Sequence, residues 1–283
     1  MSSPSLLDAV VLERELEFDN AFQAHHLAVP IGAAVSVTAS EIAHSAATRL
    51  KDVRFDQAPV VEEGRVLGFV LTRRLSDSDV ALVEDVMVPL GSGNIVSANA
   101  SIGRLMEWIL DPGFLFVLEG REITGFITVS DFNKQPVRAY LYLLISRVEL
   151  GIAELLRRRF ANQDDVLALL SADKRRKAEE RFNEDRRVGE ESDIVAYLEF
   201  SDLVTVFGQD ESSLHAVGFA DGRRWKAEIG GLVNLRNEVM HPVRNVVWAK
   251  GGLIQLQARE QRLRRLIAVI DAAMQPNAVP VPV

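Results

Sequence analysis

The sequence predicts an α+β protein in which an α/β tandem repeat precedes an all-α helical bundle. Short apolar runs broken by glycine and proline fill residues 29–135, and they form two similar units. From Pro136 onward apolar residues recur at helical spacing instead, in a stripe that runs from Val137 to Leu155. This change of pattern predicts a domain boundary after residue 135 and a connecting helix that starts at Pro136.

An internal repeat gives the order of elements in the first region. The triplet Gly68-Phe69-Val70 recurs as Gly125-Phe126-Ile127, 57 residues later. Each triplet follows an apolar run and a charged turn that contains glycine, which is the pattern of a β-hairpin. Each unit is therefore predicted to read helix, strand, turn, strand and helix, with the leading helices near 42–50 and 102–110.

The other helices and the domain bounds follow from periodicity and from chain-breaking residues. A helix is expected over 5–28, and the proline-containing end of the chain is expected to be flexible. Further helices are predicted near 163–188, 192–207, 224–241 and 252–274. The predicted domains are an N-terminal helix (1–28), the tandem-repeat pair (29–135), the helical domain (136–275) and a flexible tail (276–283).

Composition limits the classes of protein to which the chain can belong. Its 283 residues are 48% hydrophobic and 25% charged, as in ordinary globular proteins, and they suffice for two domains. Without cysteine it has no disulfide, thiolate nucleophile or Cys-ligated zinc site, and no histidine or carboxylate cluster has metal-ligand spacing. No signal peptide and no run of roughly 18 apolar residues is found, which predicts a cytoplasmic protein without a membrane span. The formal charge of −8 disfavours broad, non-specific nucleic-acid binding but allows a local basic site.

The second repeat carries a candidate ligand site in Gly125-Phe126-Ile127-Thr128-Val129-Ser130-Asp131. This segment resembles the G-h-[TS]-x-x-D element of CBS domains, and the two repeats together resemble the tandem CBS pair called a Bateman module. The resemblance implies that Thr128 contacts a ligand phosphate and that Asp131 accepts hydrogen bonds from ribose hydroxyls. It therefore predicts an adenosyl nucleotide (AMP, ADP or ATP) as a regulatory ligand.

The same residues also have a purely structural interpretation. Ser, Thr and Asp are good helix N-caps, so Thr128 and Asp131 could serve only to start a helix. The first repeat departs from the CBS pattern, because Leu71 and Arg74 stand where the pattern has a hydroxyl and an aspartate. The resemblance thus implies at most one such ligand site per chain, and both interpretations of it stay open.

A second candidate site lies in residues 235–242, near the end of an amphipathic helical segment. Arg236 offers a permanent cation with a planar donor fork suited to phosphate, and His241 can take or give a proton near neutral pH. Asn237 and His241 are four residues apart and share a helix face. Pro242 predicts that the helix ends near His241, which would leave the motif partly exposed.

This motif resembles the R-N-x-x-x-H signature of HEPN domains, all-helical modules found in many prokaryotic RNA-cleaving toxins, and residues 197–203 look like an inner helix of that fold. The resemblance implies a homodimer that brings two motifs together and cleaves RNA without a metal, by attack of the 2′-hydroxyl. Arg236 would stabilise charge on the phosphate, His241 would act as acid or base, and Asn237 would orient the pair. Four nearby cations are candidate contacts to the RNA backbone, namely Arg223, Arg224, Lys226 and Arg244.

Two functional hypotheses follow. In the first, a CBS-like pair senses a nucleotide and regulates a HEPN-like, metal-independent endoribonuclease that requires no cofactor. In the second, the chain is a non-catalytic sensor or scaffold whose helical domain only dimerises or binds a partner, and His241 interacts with the helix dipole. The first predicts that Arg236, Asn237 and His241 converge on an open basic cleft. The second predicts that His241 is buried against apolar side chains.

Overall fold

The computed structural model describes residues 21–77, 81–187, 189, 193–248 and 250–275, which form two compact units. The first unit is the chain up to Val137 together with Val247–Ile254, and the second is Arg138–Val246 together with the chain from Gln255. Most of the predicted helix over 5–28 and the predicted tail over 276–283 lie outside the described residues. Within the described residues of that range, Ala21 is helical and a 3-10 helix follows at Ala24–His26.

The described part of the first unit is a mixture of strands and short helices. Its strands are β1 (Val29–Pro30), β2 (Gln57–Glu62), β3 (Arg65–Leu71), β4 (Val88–Pro89), β5 (Ile95–Ser97), β6 (Phe114–Glu119) and β7 (Glu122–Thr128), and its helices are α1 (Ala43–Asp52), α2 (Thr72–Leu75) and α3 (Ile102–Trp108). They build one sheet of order β1-β7-β6-β5 and another of order β2-β3-β4. The antiparallel hairpins β2–β3 and β6–β7 confirm the predicted repeat, and α1 and α3 precede them as expected.

Glycine recurs in the two repeats because backbone passes close by at both positions. A Cβ on Gly68 would lie 2.1 Å from the carbonyl oxygen of Val88 in β4, and one on Gly125 would lie 2.8 Å from that of Val29 in β1. Real Cβ atoms do not approach a carbonyl oxygen so closely, so a side chain here would push the neighbouring strand away. The repeated glycine therefore allows each hairpin to pair with a third strand.

The two hairpin turns have the backbone that their charged, glycine-containing sequences predict. In the first turn Glu63 has a φ of +48° and Gly64 one of +78°, as a two-residue type I′ turn requires. In the second turn Gly120 has a φ of +62°. Aromatic packing connects the hairpins, since the Phe69 and Phe114 rings stack with centroids 4.8 Å apart. These rings belong to one apolar cluster of the first unit, and a second cluster of buried residues includes Leu50, Val60 and Val70.

The described part of the second unit is helical. It begins with α4 (Gln135–Arg159), α5 (Gln163–Ala168), α6 (Ala172–Arg187) and a 3-10 helix at Ile194–Tyr197, and continues with α7 (Phe200–Gln209), α8 (Glu211–Ala216), α9 (Gly222–Ile229), α10 (Leu232–Met240) and α11 (Lys250–Ala273). The apolar stripe predicted along α4 is buried from Val137 to Leu155, as its spacing indicates. No helix in the described ranges is both long enough and apolar enough to cross a membrane.

The prediction of a single helix over 224–241 is wrong, because the chain breaks between α9 and α10. Gly231 has a φ of +82°, a left-handed conformation that glycine adopts without a steric penalty. The Gly230-Gly231 pair thus ends one helix and starts the next. The break makes α10 a separate nine-residue helix that carries Arg236 and Asn237.

Candidate functional site

A cavity of about 340 Å³, here called the β7 cavity, lies at the end of β7 in the first unit. Its volume is at the small end of the range of about 300–1,000 Å³ that is usual for ligand pockets. The apolar lining consists of Val29, Ala33, Ala34, Val35, Pro59 and Phe126, with Phe55 at an exposed position. The polar lining consists of Arg54, Asp56, Gln57, Thr128, Ser130 and Asp131. Apolar walls with a few polar groups are the usual composition of a small-molecule site.

The structure brings Thr128 and Asp131 together in this cavity. The Thr128 backbone N–H and hydroxyl both donate to Oδ2 of Asp131, at 2.6 and 2.8 Å. The Lys134 ammonium lies 2.8 Å from Oδ1 of Asp131 and also donates to the carbonyl oxygen of Leu27. These bonds start the 3-10 helix Val129–Asn133, so the structural interpretation of the pair holds. The position of both residues in the cavity lining leaves the ligand interpretation in place as well.

The buried Asp131 carboxylate retains capacity for a ligand. An ionised carboxylate accepts about four hydrogen bonds. Here Oδ2 accepts two from Thr128, and Oδ1 pairs with Lys134. Oδ1 can therefore still accept a hydrogen bond from a ligand hydroxyl. The Lys134 cation also offsets the charge of Asp131, which lowers the electrostatic cost of keeping that carboxylate buried.

Arg54, Phe55 and Ser130 are lining residues that the sequence analysis did not identify. Ser130 stands between two residues of the quoted motif, so its position in the sequence was an available signal. Arg54 and Phe55 follow α1 in the first repeat, and only the fold brings them to the end of β7. Arg54 has a φ of +59°, which is uncommon for a residue other than glycine.

In the second unit the HEPN-like motif lies at the end of α10. Arg236 is half-buried, Asn237 is exposed, and His241 is exposed at the C-cap, so the helix ends where Pro242 predicted. Arg236 lines a cavity that Asn237 and His241 do not line. Of the three motif residues, Arg236 is therefore the one that lines this cavity, and His241 is exposed rather than buried against apolar side chains.

Arg138 fixes the backbone at this helix end. Its side chain is buried, and Nη1 donates to the carbonyl oxygens of Glu238, Val239 and His241 at 2.9, 3.2 and 3.3 Å, while Nη2 donates to that of Arg244. Desolvation lowers the pKa of Arg138 from its usual value. The guanidinium satisfies carbonyl groups that the end of α10 leaves without helical partners, and so it defines where His241 begins the following loop.

The cavity lined by Arg236, here called the α4 cavity, has a volume of about 470 Å³. Tyr142, Leu150 and Met240 give it an exposed apolar rim. Glu149 lines it as well, and desolvation raises the pKa of this carboxyl while the nearby Arg236 cation lowers it. Arg236 therefore has a half-buried carboxylate as its electrostatic neighbour, which would compete with a phosphate for the same cation.

The four cations proposed to contact RNA are exposed, but they do not line the α4 cavity. Arg223, Arg224 and Lys226 belong to α9, and Arg244 lies in the loop after α10. Arg224 lines a different cavity of about 310 Å³. These positions suit surface charges as well as they suit contacts to RNA. The described residues contain no cluster of three or more His, Asp or Glu side chains that could hold a metal ion.

Comparisons with known proteins identify similar solved structures. No family model matches the sequence, and no curated protein matches it significantly. The chain is similar to the CBS domain of a bacterial CNNM/CorC family Mg²⁺ transporter in complex with ATP, at 16% identity and a TM-score of 0.36, covering 43% of this chain and 90% of that one. It is also similar to a hemolysin-like protein containing a CBS domain from Oenococcus oeni PSU, at 18% identity and a TM-score of 0.35, covering 43% and 93%. A CBS domain-containing protein of unknown function from Bacillus anthracis gives 16% identity and a TM-score of 0.35, covering 41% and 93%. At these TM-scores the similarity does not indicate a function.

Proposed function

We propose that the chain is a nucleotide-responsive regulator whose first unit binds an adenosyl nucleotide in the β7 cavity. The observation that carries the proposal is the convergence of Thr128 and Asp131 on a cavity with apolar walls and with Arg54, whose side chain has no partner among the described residues. Phe126 and the neighbouring aliphatic residues would pack against the adenine. The Asp131 carboxylate would accept hydrogen bonds from the ribose hydroxyls. A module of this kind would report the concentration of its nucleotide to the rest of the chain.

Asp131→Asn tests the ligand role with a matched control. The amide is isosteric but cannot act as a fully charged acceptor for the ribose, so adenine nucleotide affinity should fall by about tenfold or more, as for loss of a charge-assisted hydrogen bond. Asp85 is the control, because its Oδ2 accepts the Leu82 N–H at 2.8 Å in the same kind of cap and does not line the cavity. Isothermal titration of both variants measures the difference. Equal adenine nucleotide affinities for Asp131→Asn and Asp85→Asn would show that Asp131 does not bind the ligand.

The helical unit supports a second candidate function, a metal-independent endoribonuclease that the nucleotide regulates. Arg236 is half-buried and forms no salt bridge with a described carboxylate, and His241 is exposed within the same short segment. In this proposal two chains form a homodimer, and an RNA phosphate displaces Glu149 from Arg236. His241 would then remove the 2′-hydroxyl proton, the 2′-oxygen would attack the phosphorus, and the bond from phosphorus to the 5′-oxygen would break. The products would be a 2′,3′-cyclic phosphate and a 5′-hydroxyl that takes its proton from His241 or water. A non-catalytic scaffold remains the alternative.

The substitution His241→Ala distinguishes an endoribonuclease from a non-catalytic scaffold. Because His241 is exposed, the substitution should leave folding intact, as should the same change at the exposed His215. Each protein is incubated with mixed single-stranded RNA in EDTA, with and without AMP or ATP, and product ends are mapped. Cyclic-phosphate ends that disappear in His241→Ala and persist in His215→Ala support the nuclease. Cleavage that both variants retain would refute the catalytic assignment, and absence of cleavage by the wild type favours the scaffold.

A further inference from the structure

The charges that line the β7 cavity restrict the ligand it can hold. Arg54 is its only cationic lining residue among the described residues, whereas Asp56 and Asp131 contribute carboxylates. Lys134 pairs with Asp131 at 2.8 Å, and this leaves Asp56 facing the cavity beside Arg54. A chain of phosphates would place several negative charges near Asp56 with one cation to offset them. The lining therefore matches one phosphate better than two or three.

Arg54 is held at the cavity by a helix-ending motif that usually contains glycine. Its N–H donates to the carbonyl oxygen of Lys51, and the N–H of Phe55 donates to that of Leu50, each at 2.9 Å. These two bonds form a Schellman motif at the end of α1, with Arg54 at the left-handed position. The Arg54 guanidinium makes no hydrogen bond or ion pair with any described residue. An arginine with free donors thus occupies a position where glycine would be less strained.

The two hydroxyl groups that line the cavity differ in their ability to donate a hydrogen bond to a phosphate. The hydroxyl proton of Thr128 is donated to Asp131 at 2.8 Å, so it is not directed at a ligand. Ser130 is exposed, and its hydroxyl has no hydrogen bond to a described residue. Arg54 and Ser130 are therefore lining side chains whose donors make no hydrogen bond to a described residue and remain available for a phosphate.

We infer that the β7 cavity selects a nucleoside monophosphate over the nucleoside, the diphosphate and the triphosphate. Arg54 neutralises the single phosphate, Ser130 donates a hydrogen bond to it, and Asp131 binds the ribose. This inference rests on the proposed nucleotide site. It adds the number of phosphates that the preferred ligand carries and the residue whose charge selects for that number. Selectivity arises because adenosine leaves Arg54 without an anion, and because each further phosphate adds repulsion from Asp56.

The test is a set of titrations of the full chain with adenosine, AMP, ADP and ATP in EDTA at fixed ionic strength. Wild type should bind AMP about tenfold or more tightly than adenosine, as expected for a charge-assisted contact, and more tightly than ADP or ATP. Arg54→Gln should bind AMP and adenosine equally, while Arg54→Lys should keep part of the preference. Arg121→Gln removes an exposed arginine from the turn between β6 and β7 and should behave as wild type.

Each outcome has a distinct meaning. Tighter binding of ATP than of AMP by the wild type would overturn the inference but leave the nucleotide site intact. An equal loss of AMP and adenosine affinity in Arg54→Gln would also overturn it, because Arg54 would then act on the nucleoside or on folding. Absence of binding for every compound would refute the proposed nucleotide site itself. Loss of AMP preference confined to Arg54→Gln supports the assignment.

Discussion

Replacing Arg54 by glycine should stabilise the first unit and weaken ligand binding at the same time. Arg54 has a φ of +59°, and a left-handed backbone costs a residue other than glycine about 1–2 kcal/mol. Glycine removes this cost but loses about 0.5–1 kcal/mol through the greater freedom of its unfolded chain. The free energy of unfolding should therefore rise by about 0.5–1 kcal/mol, which corresponds to a Tm increase of roughly 1–4 °C for a unit of this size.

The matched control for this substitution is Glu63→Gly. Glu63 has a φ of +48° in the first hairpin turn and does not line the β7 cavity. Thermal and urea unfolding, followed by circular dichroism, should show a similar gain for both variants. Only Arg54→Gly should lose AMP affinity in a titration. A fall in stability for Arg54→Gly alone would mean that its side chain stabilises the fold, and unchanged AMP affinity would refute its role as the phosphate counter-ion.

Two further predictions concern backbone packing and the α4 cavity. Gly68→Ala should destabilise the first unit by about 2 kcal/mol or more, since its Cβ would meet the Val88 carbonyl, whereas Gly93→Ala, with no atom within 4 Å, should change stability by no more than about 1 kcal/mol in urea unfolding. Arg236→Ala should raise the pKa of Glu149 further, because it removes the cation that lowers it and leaves the desolvation that raises it. Since the folded state holds this proton more tightly than the unfolded state, the free energy of unfolding should fall as pH rises above the unfolded value of 4.5, and the total loss should be larger in Arg236→Ala. A carboxyl NMR titration that shows a lower Glu149 pKa in Arg236→Ala would contradict this.

Local pattern was sufficient to predict much of the fold. The apolar run, turn and second apolar run of each repeat predicted both hairpins, because alternation and turn chemistry act within a few residues. The buried apolar stripe on α4 could be predicted for the same reason, because it follows from the spacing of apolar residues along a single helix. The break between α9 and α10 was missed, although Gly230-Gly231 was visible, since helical periodicity continues across it. A pair of glycines next to a periodic segment is the signal that should have ended the first helix.

Only part of the candidate site could be predicted from short sequence motifs. Thr128 and Asp131 lie three residues apart, so a short motif could identify them. Arg54 and Phe55 reach the same cavity only because the two repeats fold together, and no spacing within either repeat encodes that. For the α10 motif, spacing placed Asn237 and His241 on one face and Pro242 predicted the helix end near His241, but neither could show that Arg236 lines the α4 cavity without them. A cleft formed by two chains would likewise depend on contacts that one sequence does not specify.

The most direct test of the central claim is a crystal structure of the chain with AMP. We predict that the nucleotide occupies the β7 cavity, with its ribose hydroxyls within hydrogen-bond distance of the Asp131 carboxylate and its phosphate beside Arg54. An empty β7 cavity with AMP bound elsewhere, or AMP reversed so that its phosphate lies away from Arg54, would contradict it.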